Sequence, residues 1–174
     1  MSKCKLSNLL MAIPCAALMG GCAGADLKPV ASFGASNVLS PSGYTQKKIS
    51  DTEYQVGATG TEATPKARIE KIAIARAAQI GVEEKLKYYK VTNVQYGVAC
   101  EKKTEFYKGG STAPGSRQTV VVDVVYAKEP LDSGYVSAKE SFENLNGELD
   151  NEIVPAEQKA AAEQEARTAC GQST

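Results

Sequence analysis

The stretch RQTVVVDVVYAKE, residues 117–129, decides the fold of this chain. Val120, Val122, Val124 and Tyr126 alternate onto one face, and Thr119, Val121, Asp123 and Val125 onto the other, which is the period of a β-strand. Near-continuous valine predicts a strand in the middle of a sheet, covered at least in part on both faces. Asp123 interrupts the run. On a buried face its charge needs a cationic partner, for which Arg76, Lys71 and Arg117 are candidates. On an open face it is an ordinary solvated aspartate.

Upstream, EYQVGATG (53–60) sets Tyr54, Val56 and Ala58 on one side of a short strand. The segment TEATPKARIEKIAIARAAQIGVEEKLKYY (61–89) predicts a helix, with Thr64 as its cap and Pro65 at the first helical position. Ile69, Ile72, Ala73 and Ile80 fall on one helical stripe, and the alanines let the helix sit close to a sheet. In YYKVTNVQYGVACEK (88–102) Val94, Tyr96, Val98 and Cys100 share one side of a strand. TEFYK (104–108) reads as a further short strand and GGSTAPGSR (109–117) as an exposed loop.

Downstream, SGYVSAKESFENLNGEL (133–149) carries Tyr135, Ala138, Phe142, Leu145 and Leu149 at helical spacing, with Ser137 and Glu140 placed as a capping box. PAEQKAAAEQEARTACGQST (155–174) is rich in helix formers but has no large apolar side chain after Pro155. It predicts a mostly exposed helix, disordered unless Cys170 is tied down. The order β-α-β-(β)-β-α implies an α+β fold: a small, mostly antiparallel sheet with one or two helices packed on one face, plus the C-terminal Ala-rich helix.

Composition narrows the chemistry. The 174 residues carry 20 basic and 20 acidic side chains, a formal net charge of zero, with no long run of either sign. That argues against nucleic acid as a partner. There is no histidine, the commonest general base and metal ligand near neutral pH. No metal or cofactor motif is present, and no serine sits in a nucleophile-elbow pattern.

The N-terminus is of another kind. Lys3 and Lys5 precede the run LLMAIPCAALMGGCAGAD (9–26), apolar from Leu9 to Met19. Eleven residues rise about 16 Å as a helix, roughly half a bilayer's hydrocarbon core, so the run reads as a secretory signal and not as a span. Leu18-Met19-Gly20-Gly21-Cys22 resembles the lipobox of bacterial lipoproteins, with Met19 where Ala or Ser is more usual. The resemblance implies that Cys22 receives a diacylglyceryl group and becomes the mature N-terminus. Ala23, where an inner-membrane protein of the enteric type has aspartate, implies the outer membrane. Residues 1–21 are then the signal peptide, 22–43 the lipidated cysteine with a flexible Ala/Ser/Gly/Pro tether, 44–150 the α+β domain, and 151–174 a helical or disordered tail.

Cys4 and Cys15 leave with the signal, so the mature domain keeps Cys100 and Cys170. The two either bridge, closing a loop of about 70 residues, or remain thiols. Three further segments, SGYTQKKISDTEYQVGATG (42–60), EKIAIARAAQIGVEEKLKYYKV (70–91) and YAKEPLDSGYVSAKESFENLNGEL (126–149), resemble the CC0125/CC1285-like family of small bacterial lipoproteins. Gln79, where an acidic residue is usual, and Leu86, where a glycine commonly precedes the aromatics, depart from that pattern. The resemblance implies an envelope location and one compact domain, and it carries no catalytic residue.

The expectation is a non-enzymatic, lipid-anchored protein of the outer membrane, facing the periplasm. It would act by binding or scaffolding, with an envelope protein or glycan as partner and no cofactor. The alternatives are a small-ligand module with a pocket between helix and sheet, and a peptidoglycan-acting enzyme using Asp or Glu, for which Asp123 with Arg76 is the charged pair to locate.

Overall fold

The computed structural model describes residues 29–37, 40–102 and 115–172. The signal peptide, Cys22 and the TEFYK segment lie outside them. The fold is α+β. Five strands, β1 (Gly43–Lys48), β2 (Glu53–Thr59), β3 (Tyr88–Cys100), β4 (Ser116–Ala127) and β5 (Val136–Ser137), form an antiparallel sheet in the order β1-β2-β4-β3-β5. Three helices, α1 (Lys66–Glu83), α2 (Ala138–Asn151) and α3 (Ala156–Ala169), complete it.

The valine strand is β4, flanked by β2 and β3, so it is central. Its register places Val120, Val122 and Val124 beside Ala58, Val56 and Tyr54 of β2 and beside Tyr96, Val94 and Val91 of β3. On this face Val56, Val122, Ile69, Ile72 and Ile80 are fully buried where α1 lies on the sheet. The opposite face is a correction to the sequence reading. Val121, Asp123 and Val125 are half-buried, their β3 neighbours Asn93 and Gln95 are exposed, and among the described residues no element covers them. Valine is a good strand former as well as a core residue, so its run marks a central strand without requiring two covered faces.

Alanine lets α1 pack on two sides. Ala73, Ala75, Ala77 and Ala78 are all buried, as α1 contacts β2 and β4 and carries α2 against it. Gly81 marks the closest approach: a Cβ there would stand 2.7 Å from the Ala138 Cβ and 2.9 Å from the Leu86 carbonyl. The helix ends in a Schellman motif. Leu86 N–H donates to the Gly81 carbonyl at 2.7 Å and Lys85 N–H to that of Val82, with Lys85 at φ 58°, a position that favours glycine. At its start the helix begins one residue later than expected, with Pro65 as the cap. Thr64 is fully buried instead, and its Oγ1 accepts from the Ala31 and Thr61 N–H groups.

That contact corrects the domain boundary too. Residues 29–43 are not all tether, because the segment before β1 packs on the domain. Ala31 is buried, and its carbonyl accepts from Arg68 Nε at 2.9 Å. The Phe33 ring packs, tilted, between Tyr44 and Phe142 at 5.2 and 6.1 Å, and Ala35 bridges Tyr44 in parallel. Low local apolarity suggested a free segment, but backbone groups captured by distant side chains hold it in place.

At the other terminus α3 is a formed helix contacting β4, with Ala162 and Ala166 buried, and Cys170 after it is disulfide-bonded to Cys100. Burying two alanine methyls contributes about 1–2 kcal/mol. The bridge, with a separation of 70 residues, is worth about 4 kcal/mol by loop closure. The covalent tie outweighs the packing. Beneath this corner Ser116 Oγ and both polar atoms of the fully buried Gln118 side chain have no hydrogen-bond partner among the described residues. Each such group costs about 1–3 kcal/mol.

Candidate functional site

The sequence brings Asp123 and Arg76 forward as a charged pair, and the fold separates them. Asp123 lies on the open face of β4. Gln55 Nε2 donates to its Oδ1 at 2.9 Å and Asn93 Nδ2 to its Oδ2 at 3.0 Å, so a row of amide, carboxylate and amide runs across β2, β4 and β3. These two bonds, Gln55 first, hold the carboxyl below the usual carboxylate range. Such a group is ionised throughout the neutral range and is a poor proton donor.

Arg76 belongs to the helix side. Its guanidinium is nearly buried and fully engaged: Nε donates to Gln46 Oε1 at 2.7 Å, Nη1 to Gln79 Oε1 at 2.7 Å, and Nη1 and Nη2 grip the Glu83 carboxylate at 2.9 and 3.0 Å. The Tyr44 ring lies 5.0 Å from the guanidinium carbon. The Gln46 bond and the Tyr44 ring join α1 to the edge strand β1, while the bidentate grip on Glu83 and the bond to Gln79 stay within α1 and hold the guanidinium in place. Lys71, the second candidate partner, pairs with Glu148 and Glu152, and Arg117, the third, with Glu101.

A charge that sequence reasoning missed is Arg68. It is buried directly beside Ile69, and it holds Glu152 at 2.8 Å, the Leu149 carbonyl at 3.1 Å and the Ala31 carbonyl at 2.9 Å. One side chain thus fastens the N-terminal segment and the α2–α3 connection to α1. The signal in the sequence was its place next to the inward isoleucine stripe, where an arginine must find partners.

Along most of its length the interface of α1 with the sheet is closed by buried side chains among the described residues. A cleft of about 370 Å³ opens at the end of α1, against the starts of β3 and α2. Its apolar wall comes from Gly81, Val82, Leu86 and Ala138, and Lys85, Lys87 and Lys139 stand around it. Among the described residues no group of three or more metal-ligating side chains converges. The tyrosines divide: Tyr89 and Tyr126 are core residues, Tyr96 is 52% exposed and donates to Glu70, Tyr88 edges the cleft, and Tyr107 lies outside the described residues.

No protein-family model, curated protein or solved structure matches this chain.

Proposed function

We propose that this chain is a lipid-anchored envelope protein, of the kind its lipobox and family resemblances imply, that acts by binding or scaffolding. The observation that carries the reading is the pattern Leu18-Met19-Gly20-Gly21-Cys22 after a short apolar run with basic residues before it. Two or three acyl chains on Cys22 hold a protein in a leaflet almost permanently. The inward-drawn charges Arg68 and Arg76 support a non-catalytic role, since Arg68 spends its donors on joining elements of the fold and Arg76 spends its own on α1 and the edge strand β1.

The packed segment adds geometry to this reading. Pro29 sits against Thr61, whose Oγ1 donates to its carbonyl at 2.7 Å. Six residues, 23–28, separate it from Cys22, and the seven steps reach at most roughly 25 Å. The start of α1 would then lie within that reach of the lipid, and the cleft stands at the other end of the helix, about 27 Å along it for 18 residues.

The test is Cys22→Ser in the full chain, read by detergent partitioning and by the mass of the mature N-terminus. The expected result is an acylated, membrane-bound wild type and a variant that loses both properties. Equal partitioning and mass would overturn the reading. The second reading, a small-ligand module, is favoured by the cleft: its apolar wall and lysine rim fit an amphiphile with an acidic end. Titration with a fluorescent fatty acid tests it, with saturable binding lost in a Lys87→Glu, Lys139→Glu double variant as the expected result. No saturable binding would remove it.

A further inference from the structure

We propose that α3 is a latch, docked on β4 while the Cys100–Cys170 disulfide is intact and released when the bridge is reduced. Three observations meet at this corner. First, α3 presents alanine to the domain, with Ala162 and Ala166 as its buried residues. Second, the strand end on that side carries Ser116 Oγ, Gln118 Oε1 and Gln118 Nε2, buried and with no partner among the described residues, and Cys100 pairs in register with Ser116. Undocking α3 hydrates these atoms and so lowers the cost of exposing the alanines. Third, two further ties at this corner, among the described residues, are weak. Lys66 and Glu165 form an ion pair with side chains 43% and 51% exposed, and Gln172 reaches the Gly115 carbonyl at 3.4 Å.

The bridge is placed for exchange. Cys100 is an exposed position and Cys170 a half-buried one, at the surface end of β3. An external dithiol supplies the electrons: its thiolate attacks the bridge, a mixed disulfide forms, and the second thiol resolves it. Two electrons pass to the protein, the dithiol departs as a disulfide, and Cys100 and Cys170 each gain a proton. What opens is a polar strip, Ser116 and Gln118 beside Val98, able to donate and accept hydrogen bonds. The latch holds or fails independently of the membrane anchor.

Hydrogen exchange of the full chain, oxidised and after treatment with dithiothreitol, tests this. Exchange over residues 156–169 should rise by about 30-fold on reduction while residues 66–83 change by less than about threefold. Cys170→Ser should show the released pattern without reductant. Gln118→Leu removes the polar cost beneath the helix, so its reduced form should regain about tenfold of the lost protection. Unchanged α3 exchange in the reduced wild type would overturn the latch. So would α1 and α3 opening together, which would make the bridge a staple of the whole fold. A reduced Gln118→Leu protein as open as the reduced wild type would overturn the role given to the buried amide.

Discussion

The Tyr126 hydroxyl donates to the Ala77 carbonyl at 2.7 Å, which ties the central strand to the middle of α1. The ring stands edge-on to Tyr54 at 5.6 Å, so one side chain serves both a hydrogen bond and the aromatic core. Tyr126→Phe should therefore lower stability by about 1 kcal/mol, measured by urea denaturation. The pH profile separates the hydroxyl from the ring. Burial pushes the Tyr126 phenol well above the usual value of 10.0, and burial raises Tyr89 in the same direction against a smaller opposing bond with Ser141. A folded pKa above the unfolded one means that the stability is fully present below about pH 10 and is lost as pH rises beyond it. The decline should be shallower in Tyr126→Phe.

Arg68 predicts the largest effect of any single charge. Arg68→Ala strands the Ala31 and Leu149 carbonyls and leaves Glu152 without its guanidinium. The expected loss is about 3 kcal/mol in chemical denaturation. Arg68→Lys should recover less than half of it, because one ammonium cannot serve three acceptors in a fork.

Two helical glycines should respond in opposite directions to alanine. Gly81→Ala forces a methyl onto the Ala138 Cβ and the Leu86 carbonyl, and should cost about 1–3 kcal/mol. Gly147, on α2, has open space around it, with nothing within 4 Å of where an added methyl would stand. Gly147→Ala should stabilise by about 0.5–1 kcal/mol through helix propensity alone. Thermal or urea midpoints for the pair check both signs.

Lys85 occupies the left-handed position of the Schellman motif, φ 58°. Lys85→Gly relieves that conformation and should raise stability by about 1 kcal/mol in urea denaturation. An unchanged or lower midpoint would mean that the lysine stem contributes packing that offsets its backbone cost.

What could be read from the residues alone follows from where the forces lie. Alternation in β4 and β2 and the helical stripe of α1 arise from burial against one large face, so their periods survive in sequence and the α+β architecture was legible. β1, GYTQKK, has no apolar alternation, and it is a strand because β2 offers it a full ladder from Gly43–Thr59 to Lys48–Tyr54. Local composition cannot show that. The docking of Ala31 is hidden for the same reason, since the groups that hold it, Thr64 and Arg68, lie 33 and 37 residues away. Asp123 and Arg76 were legible as charges within structured elements, but not as residents of opposite faces. The turn of a helix about its axis depends on what packs around it, and α1 has neighbours on two sides.

The amide–carboxylate–amide row across the sheet bears on solubility. With valine in place of Asp123 the strand would carry six consecutive valines, 120–125, on a sheet whose second face no described element covers. On the open face three of these, 121, 123 and 125, would form an uninterrupted apolar row between the polar neighbours Gln55, Asn93 and Gln95, a row of the kind that invites pairing between molecules, and a fixed anion at its centre repels its own image on an approaching copy. Asp123→Val should leave the monomer's fold intact yet make the protein self-associate at micromolar concentration, visible by light scattering, whereas Asp123→Lys should stay dispersed. On that outcome the interruption in the valine run serves as a gatekeeper against aggregation.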